Sequence, residues 1–246
     1  MTYCVGVKLN SGLVFMSDTR TNAGVDNVSV FRKMFFWDVP GDRSITILTA
    51  GNLATTQTTI GLLHERTKAP GARSPSILRA ETMFQVAQIV GRTLREVIAE
   101  YKAHGHDGSA DFTASLIVGG QIAGAEPTLF LVYPEGNFIE ASDDTPFLQI
   151  GETKYGRPIL VRVYEPDMTF ADTVKLLMVS FDSTIKANLS VGLPLDLAIY
   201  EAGTLDRPTR RRIVESDREY RAISDGWADA LRVAFKQLPD VVLDDT

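Results

Sequence analysis

Threonine stands second in the chain, behind the initiator Met1. Methionine aminopeptidases act before small residues, threonine included, so a processed chain begins at Thr2. A threonine hydroxyl is a poor nucleophile until a base takes its proton. The α-amine of an N-terminal threonine, with a reference pKa of about 7.7–8.0, is such a base and sits on the same residue. Sixteen positions on, Ser17-Asp18-Thr19-Arg20 supplies a carboxylate, and fifteen after Asp18, Arg32-Lys33 supplies an ammonium. A lysine beside the amine keeps it neutral by like-charge repulsion and stabilises negative charge on the oxygen. An aspartate beside the lysine holds that ammonium charged and oriented. Thr2, Asp18 and Lys33 supply each part once. While Met1 remains attached, the nitrogen of Thr2 is an amide and the base is missing.

Competing chemistries have less support. There is no GxxxxGK[ST], GxGxxG or GxSxG, so phosphate loops and a nucleophile elbow are absent. His104-Gly105-His106-Asp107 places two imidazoles and a carboxylate in one loop, with His64 far away, but no spacing typical of zinc supports a metal site, and no cofactor is expected. Cys4 is the one cysteine, which rules out an intrachain disulfide and reads as packing in the first strand. Segment 207–221 holds six arginines with Asp206, Glu215, Asp217 and Glu219 in or beside it, and reads as a solvated or subunit-facing surface. The net charge of −6 argues against nucleic acid or anionic membranes as partners. No apolar run is long enough to span a bilayer and no secretory signal is visible, so a cytoplasmic location is expected.

With 246 residues and 44% apolar content, the chain can bury a sizeable core. Near-continuous apolar runs at 3–9, 13–17, 28–37 and 44–49 read as strands covered on both faces. A helix capped by Asn52 follows over 52–67, weakened by its threonines. Ser74-Pro75 reads as the start of a second helix of about seven turns, on the spacing of Met83, Val86, Val90, Leu94, Val97 and Tyr101. Strands at 113–119, 128–133 and 137–141 come next. Thr169 and Asp172 then form a capping box for a helix striped by Phe170, Val174, Leu177, Met178, Phe181 and Ile185. A strand at 193–200 and a helix through Tyr220, Ile223, Trp227 and Leu231 complete the order. Strands and helices come in blocks, which fits two central sheets with helices outside. One domain is expected over 1–240, with an acidic, frayed tail at 241–246.

Three further segments make the pattern specific. Thr2 with Ser17-Asp18-Thr19-Arg20, Lys33, and Leu48-Thr49-Ala50-Gly51 before a helix resembles the proteasome β-subunit family. Thr21-Asn22-Ala23-Gly24-Val25-Asp26, Gly151-Glu152-Thr153-Lys154-Tyr155-Gly156-Arg157-Pro158 and Ser190-Val191-Gly192-Leu193-Pro194 resemble its bacterial Anbu branch. The resemblance implies an α+β fold, the four-layer αββα sandwich of N-terminal-nucleophile hydrolases. It implies Thr2 as nucleophile and base, Lys33 as its electrostatic partner, Asp18 as orienter of Lys33, Gly51 as an oxyanion donor and Ser190 as a supporting residue. It further implies peptide or unfolded-protein substrates, self-association into a ring or open spiral, and a separate ATPase as a partner if folded substrates are used. Two positions depart from the pattern. Family members carry Gly-Ser-Gly and Asp-x-x-Ser-Gly segments around the threonine amine; here Glu152 follows Gly151, and Ala187, with Asn188 beside it, stands three before Ser190. Asp182 and Ser183, on the third helix, face either the site or solvent.

Overall fold

The computed structural model describes residues 2–22, 28–68, 75–104 and 111–241. Two five-stranded antiparallel sheets form its centre. The first has the order β10-β1-β2-β11-β12, from Phe147–Gly151 (β10), Tyr3–Leu9 (β1), Gly12–Asp18 (β2), Leu195–Glu201 (β11) and Thr209–Ile213 (β12). The second has the order β5-β6-β7-β8-β9, from Met34–Val39, Arg43–Gly51, Ala114–Ile122, Thr128–Val132 and Phe138–Glu140. A two-stranded ribbon of Arg20–Asn22 (β3) and Val28–Val30 (β4) links them.

Three apolar layers follow from strand alternation. Ile45, Ile47, Leu116 and Val118 face helices α1 (Leu53–Lys68) and α2 (Met83–His104), where they meet Leu63, Val90 and Leu94. Cys4, Leu13, Phe15, Leu48, Ile117 and Leu129 fill the space between the sheets. Tyr3, Val5, Val14 and Met16 face the other helices, α3 (Arg157–Val163), α4 (Phe170–Ala187) and α5 (Arg218–Lys236), through Leu160, Leu177, Phe181 and Tyr220. Alternate residues of one strand therefore enter different cores, which is why the runs are apolar throughout. The result is the expected α+β sandwich in the layer order αββα.

Several local expectations are met and others corrected. Asn52 caps α1 through its Oδ1, which accepts the Thr55 N–H at 3.1 Å. The threonines of α1 are tolerated because their hydroxyls find carbonyls, Thr55 that of Phe112 at 3.0 Å and Thr59 that of Thr55 at 2.8 Å. Segment 28–37 is not one strand: the chain leaves the ribbon at Val30 and enters the second sheet at Met34. The long helix begins at Met83 rather than at Pro75. A short 3-10 turn, Ile77–Arg79, precedes it, and the buried Arg43 guanidinium ties that turn down through the carbonyls of Ile77 and Ala80. Ser74 and loop 105–110, with His106 and Asp107, lie outside the described residues. Strand β10, helix α3 and strand β12 carry no signal of their own in the sequence. Each is five to seven residues long and owes its form to pairing or packing partners far away in the chain.

The segment 207–221 is built into the fold. Arg210 pairs with Asp38 and lies 3.5 Å over the Phe36 ring, Arg212 holds Asp196 at 2.7 and 3.0 Å, and Arg211 reaches Asp217 and Glu219 at 2.7 and 2.5 Å. Asp182 faces α5, accepting from Ser224 at 2.6 Å and Lys186 at 2.8 Å. Among the described residues, no helix is long and apolar enough to cross a membrane.

The start of α4 gives a direct test of the local reading. Thr169 Oγ1 accepts the Asp172 N–H at 3.0 Å. Thr169→Ala should lower stability by about 1 kcal/mol, with Thr169→Ser close to neutral. Urea titration of the three proteins measures this.

Candidate active site

Thr2 immediately precedes β1 at the edge of the first sheet's ladder. Its carbonyl accepts the Glu152 N–H at 2.6 Å, continuing the pairing of β1 with β10. The next residue is fixed more firmly. The Tyr3 ring lies 4.4 Å from that of Phe181, and its buried Oη receives Gln149 Nε2 at 2.6 Å and pairs with Ser180 Oγ at 2.8 Å. Burial pushes the Tyr3 phenol up to about 12, so it stays protonated and neutral. The residue before it is thereby held in one register.

Asp18 is the last residue of β2, with β1 on one side and β11 on the other. Its Oδ1 accepts the Tyr3 N–H at 3.0 Å and the Lys33 Nζ at 2.7 Å. Lys33 lies in the irregular stretch between β4 and β5, where its carbonyl accepts the Thr49 N–H at 2.9 Å while its side chain reaches Asp18 of the first sheet. Its Nζ also donates to the Arg20 carbonyl at 2.6 Å. The two side chains are 5% and 0% exposed. Burial raises the Asp18 carboxyl above its ordinary value, while the Lys33 ammonium and the Tyr3 N–H pull it back. An ammonium has three donors. Two are spent on Asp18 and Arg20, and the lysine lies on the wall of the same cavity as Thr2.

That cavity has a volume of about 500 Å³ and is lined by Thr2, Lys33, Thr49, Gly51 and Gln57 among others. Gly51 ends β6 with a φ of +112°, and a Cβ there would lie 2.5 Å from the Thr113 carbonyl oxygen. Glycine is required, and the backbone is left uncovered on the cavity wall. Four of the five residues singled out in the sequence therefore converge: Thr2, Lys33 and Gly51 face the cavity and Asp18 stands behind Lys33. Ser190 is not on that wall.

Ser190 joins the site indirectly. Asn188 caps the C-terminus of α4, its Oδ1 accepts the Ser190 N–H at 3.0 Å and the Ser190 hydroxyl at 2.6 Å, and its Nδ2 donates to Glu152 Oε2 at 2.9 Å. Glu152 is buried and follows the residue paired with Tyr3. Ala187 is exposed at the helix end and takes no part. One departure noted in the sequence, Glu152, thus meets the neighbour of the other: Glu152 and Asn188 form one hydrogen-bonded chain that ends at the strand holding Thr2. Sequence reasoning did not assign Asn188 a role, because the link between positions 152 and 188 exists only after folding. Cys4 is also accounted for. It is buried between the sheets, its thiol directed at the Thr49 carbonyl at 3.6 Å, and burial raises its pKa, which leaves it inert.

Buried polar chains of this kind are costly to interrupt. Asp18→Asn or Lys33→Ala should each destabilise the fold by about 3–5 kcal/mol, since each leaves an uncompensated buried group. The apolar pair Asp18→Leu with Lys33→Met should cost much less than the sum. Asn188→Ala strands Glu152 and the Ser190 N–H and should cost about 1–3 kcal/mol. Denaturant midpoints of the four variants decide both expectations.

Comparison with known proteins places this geometry. A family model described as "Proteasome subunit" matches residues 2–199. No curated protein matches the chain. Among solved structures, Anbu (ancestral beta-subunit) from Yersinia bercovieri is 43% identical, with 98% of this chain and 100% of that one covered and a TM-score of 0.91. Anbu from Hyphomicrobium sp. strain MC1 is 45% identical, with 98% and 100% covered and a TM-score of 0.89. A helical assembly of the Anbu complex from Pseudomonas aeruginosa is 45% identical, with 98% of each chain covered and a TM-score of 0.92. On its family match, its fold and these likenesses over nearly the whole length, the chain belongs to the proteasome subunit family, and within it to the Anbu group.

Proposed function

We propose that the chain, once Met1 is removed, is an N-terminal threonine hydrolase that cleaves amide bonds in peptides or unfolded protein. The observation that carries this reading is the buried Asp18–Lys33 pair, 2.7 Å apart, whose lysine shares one cavity with Thr2 and Gly51. The freed α-amine of Thr2 takes the proton from its own hydroxyl, and Oγ attacks the substrate carbonyl carbon. Lys33 favours the neutral amine and the developing oxygen charge, with Asp18 holding it in place. The Gly51 N–H serves the tetrahedral oxyanion. The amine then returns the proton to the leaving nitrogen, and the Thr2 ester that remains is hydrolysed by water with the same amine as base. Ser190 contributes through Asn188 and Glu152 rather than by direct contact. No cofactor enters this scheme, which uses only groups of the chain.

A second reading has its own support. Glu152 and Ala187 stand where β-subunits carry serine and aspartate, so a proteasome-fold assembly or binding protein with little or no peptidase activity is the alternative. An amidase acting on a small amide is a variant of the first. The Pseudomonas aeruginosa relative is described as a helical assembly. By similarity we propose that this chain also self-associates, in an open spiral rather than a closed ring, since head-to-tail contacts close only when the rotation per subunit divides a full turn without a rise. A separate ATPase would be needed for folded substrates. Nucleic acid and membranes are not partners in this reading, and the location is cytoplasmic.

Intact mass is the first measurement: the chain from its native host should lack Met1. Treatment with a peptide epoxyketone, which needs both the hydroxyl and the free amine of an N-terminal threonine, should then add one reagent mass, and Thr2→Ala should add none. Retained Met1 or an unlabelled wild type would sink the hydrolase reading. Asp18→Asn and Lys33→Ala should each abolish most of the labelling, and their combination should be little worse than either. Light scattering after size exclusion should show a particle of many subunits.

A further inference from the structure

The segment that leaves β2 touches the loop 188–194 at consecutive residues. Thr19 Oγ1 donates to the Pro194 carbonyl at 2.7 Å, and Arg20 Nη1 donates to the Leu189 carbonyl at 3.0 Å. The Gly192 amide faces the Asp18 carboxylate and favours its charged form, short of a full hydrogen bond, since Asp18 Oδ2 is buried without a partner. Arg20 also packs against Gly192. A Cβ at position 192 would stand 2.3 Å from Arg20 Cζ, 2.4 Å from Nε and 2.6 Å from Nη2. The guanidinium therefore lies against bare backbone. A methyl at position 192 would require that guanidinium, which is bonded to the Leu189 carbonyl, to shift. Among the described residues Arg20 makes no ion pair, so its place is set by a carbonyl and a glycine and not by a carboxylate.

Two sets of site groups are tied to that one residue. The Arg20 side chain holds the loop bearing Asn188 and Ser190, which reach Glu152 beside Thr2. The Arg20 backbone carbonyl accepts Lys33 Nζ at 2.6 Å. A shift of Arg20 would move the loop and the ammonium together. The geometry points to Arg20 as a positioning residue: with Gly192 it clamps loop 188–194 against the Asp18–Lys33 pair, so that the two halves of the site are set by one contact. Its consequence for chemistry rests on the reading of Thr2 as nucleophile; the clamp itself does not.

The test uses the full chain lacking Met1, as wild type, Arg20→Ala, Arg20→Lys, Gly192→Ala and the double variant Arg20→Ala/Gly192→Ala. Hydrogen exchange is read at the amides of Ser190 and Val191, which bond to Asn188. In Arg20→Ala and in Gly192→Ala these amides should exchange about tenfold faster or more, while those of β1 and β2 are unchanged. The double variant should be no worse than either single one. Arg20→Lys keeps a donor for Leu189 and should restore part of the protection. Epoxyketone inactivation should lose up to about 100-fold in its maximal rate, with the reagent concentration for half-maximal rate within about twofold, as expected of a misplacement near 1 Å that leaves the cavity intact. Arg20 is not on the cavity wall, so a general structural loss, which would weaken both constants, is told apart. Unchanged exchange in Arg20→Ala, or effects of the two substitutions that multiply, would overturn the clamp. Altered exchange in the two single variants, with a wild type that takes no label, upholds the clamp and removes the hydrolase reading.

Discussion

A single buried ion pair joins the two sheets where the site lies. Asp18 ends a central strand of the first sheet and Lys33 precedes the edge strand of the second, and both are withdrawn from water. Stripping a carboxylate and an ammonium of solvent costs several kcal/mol each, and attraction offsets this only where the remaining polar atoms are also served. The surroundings meet much of that demand. Tyr3 gives an N–H, Arg20 a carbonyl, and the Gly192 amide faces the carboxylate. The ribbon of β3 and β4 and the irregular stretch after it make sense in this light. They carry the chain from one sheet to the other while leaving the lysine side chain free to turn back.

The rest of the fold keeps this pair and its neighbour Thr2 in register. Tyr3 is anchored at its ring by Phe181 and at its hydroxyl by Ser180 and Gln149, so α4 and β10 both bear on the position next to Thr2. The end of α4 then returns to the site through Asn188 and Glu152. Glu152 stands where the family pattern has serine, Ala187 where it has aspartate, and the Asn188 amide next to Ala187 reaches Glu152. That amide donates to Glu152 and accepts from Ser190 at once. The surrounding network is thus altered in chemistry and still closed.

Charge on the outside follows a different logic. The arginines of β12 form intrachain pairs with β5, β11 and the start of α5, and Arg210 is also laid over Phe36. They fasten the last strand to its neighbour β11, to the edge of the second sheet and to the start of the last helix. The row of arginines is therefore an internal fastening of an acidic protein, not a patch of free positive charge.

Much of this was legible in the order of residues. Thr2, Asp18 and Lys33 stand out by residue type and the structure brings them to one place, and the block order of apolar runs implies sheets between helices, because local periodicity is a property of neighbouring residues. Asn52 and Thr169 announce their helix starts for the same reason: a cap is satisfied within a few residues of itself. What the tertiary structure decided is every relation that spans the chain. The splitting of 28–37 frees Lys33, α2 begins at Met83 because Arg43 claims the turn before it, and β10 and β12 exist only by pairing with β1 and β11. Asn188 meets Glu152 across 36 positions, and Arg20 meets Leu189 across 169. A hydrogen bond has no preference for sequence separation once the backbone has brought donor and acceptor within about 3 Å, so these contacts leave no local pattern to read.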